Sequence, residues 1–196
     1  MTLDLLPDFL RRSYEVYEWK HACAILKEDF PDEWQDLIDV LTRYRLMRSE
    51  ILTAGGNLSP ISKFFDAEFC LARGWRERKF ETELMVDGDR RPSPTHKVDA
   101  FKNGVALEIE WNNKDPFFDR DLNNFRLLFE LRVVSVGIIV TRSEEILGLF
   151  TELGKGKSTG QSTTHMGKLL PRVAGGGGGG CPLLVFGITR DLYVED

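Results

Sequence analysis

The chain has 196 residues, 42% of them hydrophobic, with four tryptophans and thirteen phenylalanines. That is apolar volume for one packed domain and excludes a wholly disordered chain. The formal net charge of -5, taken alone, weighs against a nucleic-acid binder, and three widely spaced cysteines, Cys23, Cys70 and Cys181, form neither a zinc motif nor a disulfide framework.

The distribution of charge says more than its sum. Residues 28–39 hold six acids and no base, residues 73–79 four bases and one acid, and residues 154–174 carry Lys155, Lys157, Lys168 and Arg172 with no acid. An acidic protein with such segments can still meet a polyanion through a basic face. The longest strongly apolar stretch, residues 133–140, is far short of the ~20 residues of a membrane-spanning helix. The opening "MTLDLLPDFLRR" has acids where a signal peptide starts positive, so a cytoplasmic protein with no membrane partner is expected.

In chain order, residues 14–27 have helix-compatible spacing, with Tyr17, Ala24 and Leu26 among charged residues. Pro31 suits a helix start, and Trp34, Leu37, Ile38 and Leu41 repeat at amphipathic-helix spacing. After the break "TAGGNLSP", residues 61–73 form a third helix expectation with Phe64, Phe65, Phe69 and Leu71 to pack. Residues 79–86 turn strand-like, and "DGDRRPSPT" reads as loop. A hairpin over residues 98–111 precedes a helix in which Phe118, Leu122, Phe125 and Phe129 recur. The β-branched run "VVSVGIIV" reads as a central strand. Ser143 is placed to cap a helix through Leu153, and a short helix over 165–172 is expected to end at Pro171. Six glycines, Gly175 to Gly180, read as a slack surface loop before a last strand over 183–189. The fold class is therefore α/β, a mixed central sheet flanked by helices, in one domain over residues 1–196, with 1–75 mainly helical and 76–196 carrying the sheet.

"VDAFKNGVALEIEW" carries the chemistry. Asn103 and Gly104 make a favoured two-residue turn because both accept positive φ. The register then sets Lys102 against Val105, Phe101 against Ala106, Ala100 against Leu107 and Asp99 against Glu108. Glu110 points to the same side as Glu108. Three carboxylates on one face repel one another unless a cation joins them, and hard oxygens suit Mg²⁺, with the Ile109 carbonyl as a neutral ligand. The alternative is a solvated hairpin face.

Asp99, eight residues, then Glu108-x-Glu110, within "HKVDAFKNGVALEIEWNNKDPFFDRDLNNFRLLFE", resembles the metal site of the PD-(D/E)xK nucleases. The closer likeness is to type II restriction endonucleases of the BglII/BstYI family, with BamHI a more distant relative. "ACAILKEDFPDEWQDLIDVL" resembles the helical part of that family. The resemblance implies a restriction-endonuclease-like core in which Asp99 and Glu108 bind Mg²⁺. Glu110 stands where most of the superfamily has lysine, and BamHI also carries glutamate there. It would orient or deprotonate the attacking water. A further acid before Asp99 is implied, with Glu83 preferred over Glu81 and Glu68. Lys114 would approach the phosphate. The implied protein is a homodimer that cuts double-stranded DNA at a palindrome containing GATC, paired in its host with a DNA methyltransferase.

For DNA contacts the sequence offers Asn112, Asn113, Lys114, Asn123, Asn124 and Arg126 on and before the helix that follows the hairpin. That helix reads equally as a dimer interface or a solvated face. Lys155, Lys157, Ser158 and Lys168 suit phosphate contacts, or form a basic surface loop. "GKGKSTG" is not a P-loop, because Thr151 stands where its first glycine is required. His21, His96 and His165 are too scattered for a zinc cluster. The four tryptophans suit packing, Trp111 bracing the site.

Overall fold

The computed structural model describes residues 2–53, 59–114, 116–157 and 162–196. Its centre is a six-stranded sheet ordered β1-β9-β8-β7-β6-β3, built from β1 (Tyr14–Trp19), β3 (Arg76–Arg78), β6 (Val98–Lys102), β7 (Val105–Ile109), β8 (Val136–Arg142) and β9 (Leu183–Ile188). Strands β7, β8 and β9 run parallel, while β1, β6 and β3 pair antiparallel to their neighbours. Two small sheets accompany it. Strand β2 (Leu46–Met47) pairs with β10 (Tyr193–Val194), and β4 (Glu81–Val86) with β5 (Asp89–Pro94).

The alternation of side chains along the central strands divides the core. Val105, Leu107 and Ile109 of β7, Val136, Ile138 and Val140 of β8, and Leu184, Phe186 and Ile188 of β9 face one cluster. It is completed by helices α1 (Asp8–Ser13), α2 (Ala22–Asp29), α3 (Pro31–Arg43), α4 (Arg48–Leu52), α5 (Pro60–Asp66) and α7 (Ile146–Glu152). Ala106, Ile139, Leu183 and Val185 face the other cluster, under α6 (Pro116–Glu130) and α8 (Met166–Ala174). Period-two strands between helical layers have this consequence. Glu108 and Glu110 fall in the phase of Ala106, towards α6.

The local rules hold at several element ends. Pro31 and Pro60 occupy first-turn positions of α3 and α5. Ser59 caps α5 by accepting from the Ser62 amide at 3.0 Å. Asn103 and Gly104 both take positive φ, 47° and 92°, as the two-residue turn requires, and the ladder matches the expected pairs at Lys102–Val105, Phe101–Ala106 and Ala100–Leu107. The tip is docked: Asn103 Nδ2 donates to Glu33 Oε1 at 2.8 Å, and the Ser135 amide to the Gly104 carbonyl at 2.7 Å.

Other expectations fail for identifiable reasons. Residues 14–19 are a strand, not the start of a helix; aromatic and β-branched residues suit a pleated surface, and six paired positions on β9 settle the choice. "DRRPSP" is a strand of an outlying hairpin, made possible by the Asp87–Gly88 turn with φ of 52° and 87°. Ser143 caps nothing: α7 begins later, after Glu145. Helix α8 continues through Pro171, which gives up one backbone donor while Met166, Leu169 and Val173 stay buried.

The glycine run is not slack. A Cβ on Gly178 would lie 2.7 Å from Leu183 Cδ1, one on Gly179 2.6 Å from Arg126 Cγ, and one on Gly180 2.9 Å from Phe129 Cε1. Glycine lets this segment press against α6 and β9, and its entropic cost is offset by that close approach.

Candidate active site

The ladder between β6 and β7 stops at Ala100–Leu107, one step before the acids. Beyond that point side chains replace backbone. The Asp99 amide donates to Glu108 Oε2 at 3.2 Å, and the Ile109 amide donates to Asp99 Oδ2 at 2.9 Å. The diverging strand ends open a cleft of about 350 Å³. Its walls include Asp99, Ile109, Glu110 and Asn113, with Asp66, Glu77, His96 and Arg120 brought from α5, β3, the β5–β6 connection and α6.

Glu108 and Glu110 are each only 1% exposed. Glu110 is held at both oxygens: Asn113 Nδ2 donates to Oε2 at 2.7 Å and Arg120 Nη2 to Oε1 at 3.2 Å. Asp121, fully buried on α6, accepts from Arg120 Nε at 2.9 Å and Nη2 at 2.7 Å, all at Oδ1. Asp121 Oδ2 and Glu108 Oε1 are buried without a donor. An acceptor left so is satisfied by a proton or a cation.

The carboxyl groups respond accordingly. Burial, then the charges of Asp121 and Asp99, hold Glu108 well above the ordinary range. Burial and then Asp121 push Glu110 up to about 9, outweighing Asn113 and Arg120. Burial likewise raises Asp99, opposed by the Ile109 amide, and Asp121, opposed by a carboxyl–carboxyl hydrogen bond with Glu110 and then by Arg120. His96 is shifted down by burial, then by Arg120 and Lys97. Removing several carboxylates from water beside one another disfavours their charged forms.

The donor set fits a hard divalent ion in its chemistry, and Glu108 Oε1 is a buried acceptor oxygen with no donor of its own. Among the described residues, however, no group of three or more His, Cys, Asp or Glu side chains is already arranged to hold a metal. Asp99 and Glu108 spend an oxygen each on the other strand's amide.

Glu83 is not at this cleft. It stands exposed on β4, with Arg90 4.0 Å away. Glu81 shares that strand, and Glu68 is bound to Arg43 and Arg73. The earlier acids that the fold does bring here are Glu77, ion-paired with Lys97, and Asp66. Nearness in the chain does not bring Glu83 here, because the β4–β5 hairpin is an excursion between two residues of the cleft wall, Glu77 and His96.

Of the expected DNA contacts, Asn113 lines the cleft, and Asn112 and Lys114 are exposed beside it. Lys114 forms an isolated bridge with Thr163 and is not on the cleft wall. Asn123 and Arg126 are exposed on α6. Asn124 is a correction: it is buried, with Nδ2 donating to the His96 carbonyl at 3.1 Å. Lys155 and Lys168 are half-buried, Lys157 is exposed, and Ser158 lies outside the described residues. The sequence marks Asp121 as an acid at a core position but does not attach it to the site. It shares the helical stripe of Phe118, Leu122, Phe125 and Leu128, so an acid occupies a core position.

A mixed sheet with helices on both faces, and an acidic cleft where a central hairpin diverges, is the architecture of a restriction-endonuclease-like domain. The family model described as restriction endonuclease BglII/BglIII matches residues 14–188, and the chain belongs to that family of DNA-cleaving enzymes. No curated protein matches it. Among the described residues, no helix is long and apolar enough to cross a membrane.

Proposed function

We propose that the chain is one endonuclease domain that hydrolyses phosphodiester bonds of double-stranded DNA with Mg²⁺, at a palindromic site containing GATC. It would act as a homodimer with one active site per strand, in the cytoplasm beside a matching methyltransferase. The observation that carries this is the Asp99–Glu108 pair at the diverging end of the hairpin, with buried Glu110 next to it.

Asp99, Glu108 and the Ile109 carbonyl would hold the metal ion. Bound there, it would neutralise charge on the phosphate and lower the pKa of an attacking water. Glu110, fixed by Asn113 and Arg120, would orient that water or take its proton. Its high pKa in the metal-free state means that a proton must leave before it serves as a base. Asn112 and Asn113, and the exposed Asn123 and Arg126 of α6, are the polar groups for the bases. Lys114, Lys155, Lys157, Ser158 and Lys168 are those for phosphates.

Digestion of unmethylated plasmid DNA with Mg²⁺, beside Asp99→Ala, tests the proposal. Discrete fragments that vanish in the variant are expected, and an intact plasmid over a range of salt overturns it. A second reading, sequence-specific DNA binding without cleavage, draws on the lack of a preassembled metal cluster among the described residues. Tight binding with no cutting in Mg²⁺ or Mn²⁺ would favour it.

A further inference from the structure

The cleft presents several carboxylates to a substrate that is itself an anion. Among its described lining residues, Arg120 is the one lysine or arginine. His96 does not share that role at neutral pH, being held towards its neutral form by burial and by Arg120 and Lys97. Lys114 is off the wall.

Arg120 is also aimed. Its hydrogen bonds use one edge: Nε and Nη2 to Asp121 Oδ1, and Nη2 to Glu110 Oε1. The guanidinium carbon sits 4.2 Å from the centre of the Phe117 ring. The side chain is 31% exposed while Asp121 beneath it is 0% exposed. A buried carboxylate and an aromatic face thus fix one side of a planar cation that lines the cleft, and none of these bonds uses Nη1. Such a fork suits a phosphate oxygen.

We infer that Arg120 contacts a non-bridging oxygen of the scissile phosphate and that Asp121 is the positioning residue that aims it. The inference rests on the nuclease reading above and adds a role to that site. In the reaction, the water oxygen bonds to phosphorus and the bond to the 3′ oxygen breaks. The water gives up one proton, to Glu110 or to solvent, and the electron pair leaves with the 3′ oxygen, which takes a proton from solvent. Arg120 forms and breaks no covalent bond; its N–H groups meet the charge that grows on the non-bridging oxygen. Glu110 brings no fixed positive charge to the cleft, and Arg120 brings it from α6.

Arg120→Ala, Arg120→Lys and Asp121→Asn are compared with the parent under single-turnover conditions, on a duplex cut by the parent. Thermal melting checks the fold, and binding to the same duplex is measured in Ca²⁺. Arg120→Ala is expected to slow cleavage roughly 10²-fold while Ca²⁺-supported binding changes by less than about tenfold. Added guanidinium chloride at ~20–50 mM, below denaturing levels, should restore roughly tenfold of that rate, while leaving Asp99→Ala inactive. Arg120→Lys should retain more activity than Arg120→Ala. Asp121→Asn should be slower than the parent and gain nothing from guanidinium. Cleavage by Arg120→Ala within threefold of the parent overturns the inference. So does a slow Arg120→Ala that guanidinium does not help, which would make Arg120 a structural brace. A parent that cuts no DNA sinks the nuclease reading and this inference together, whereas a parent that cuts beside an equally active Arg120→Ala sinks only the inference.

Discussion

Asp99 and Glu108 are tied across the mouth of their hairpin, the Asp99 amide donating to Glu108 Oε2 at 3.2 Å while the Asp99 carboxylate accepts from the amide next to Glu108, that of Ile109, at 2.9 Å. The two acids take over hydrogen bonds that a continuing ladder would have made. Their strands therefore separate without stranding backbone donors, and the cleft lies in the gap.

Under the nuclease reading proposed above, Glu108 would be a functional group held at the expense of stability. Its burial and its acidic neighbours disfavour the charge. Glu108→Gln should leave circular dichroism unchanged, raise the stability of the metal-free protein at pH 8 by about 1 kcal/mol or more, and reduce cleavage by at least ~10²-fold. Urea denaturation and plasmid digestion check both halves. A destabilised variant would show that the carboxylate braces the fold.

The upward shifts of Asp99, Glu108, Glu110 and Asp121 set the sign of a pH dependence. Between the ordinary carboxyl range and the raised native values, the folded chain holds protons that the unfolded chain has lost. The stability from these groups is fully present below the unfolded pKa and disappears as pH rises through the native values. The melting temperature of the metal-free protein should thus fall from pH 5 towards pH 9, less steeply in Glu110→Gln, whose parent carboxyl titrates at about 9. A steeper or unchanged slope in that variant would refute the assignment.

The same protons have to leave when a cation takes their place. Calorimetric titration of Mg²⁺ at pH 7 in two buffers of different ionisation enthalpy should give different apparent heats, corresponding to net proton release. Asp99→Ala should abolish both the binding heat and the difference. Binding with identical heats in the two buffers would mean that the ion sits elsewhere.

Glu77 and Glu83 separate position in the chain from position in space. Glu77 lines the cleft and Glu83 stands out on the β4–β5 hairpin. Glu77→Ala should slow cleavage by roughly tenfold or more, in the range of a lost charged contact at a site, and Glu83→Ala should remain within twofold of the parent. The reverse order in a single-turnover assay would return the role to Glu83.

Two glycines should respond in opposite ways. Gly178→Ala places a methyl 2.7 Å from Leu183 Cδ1 and should destabilise by ~1–3 kcal/mol. Gly148→Ala meets nothing within 4 Å inside α7 and should stabilise by ~0.4–1 kcal/mol. Chemical denaturation of the pair tests whether the six-glycine segment is packed.

Legibility in the sequence followed the range of the interactions. The turn at Asn103 and Gly104 fixed the hairpin register and brought Asp99 to Glu108, because turn geometry and side-chain alternation are local. The phenylalanine stripe of α6 and the apolar strand β8 were readable for the same reason. The spacing of residues 14–19 suggests a helix, but a short amphipathic segment suits either element until β9 pairs with it. Glu77, Arg120 and Asp121 could not be attached to the site from spacing alone: they reach it from β3 and α6, and only the crossing of those elements over the diverging hairpin makes neighbours of them. Burial, too, belongs to the tertiary structure. The sequence supplied the carboxyl groups, but the packing of α6 over β7 excludes water from them and so decides which hold a proton.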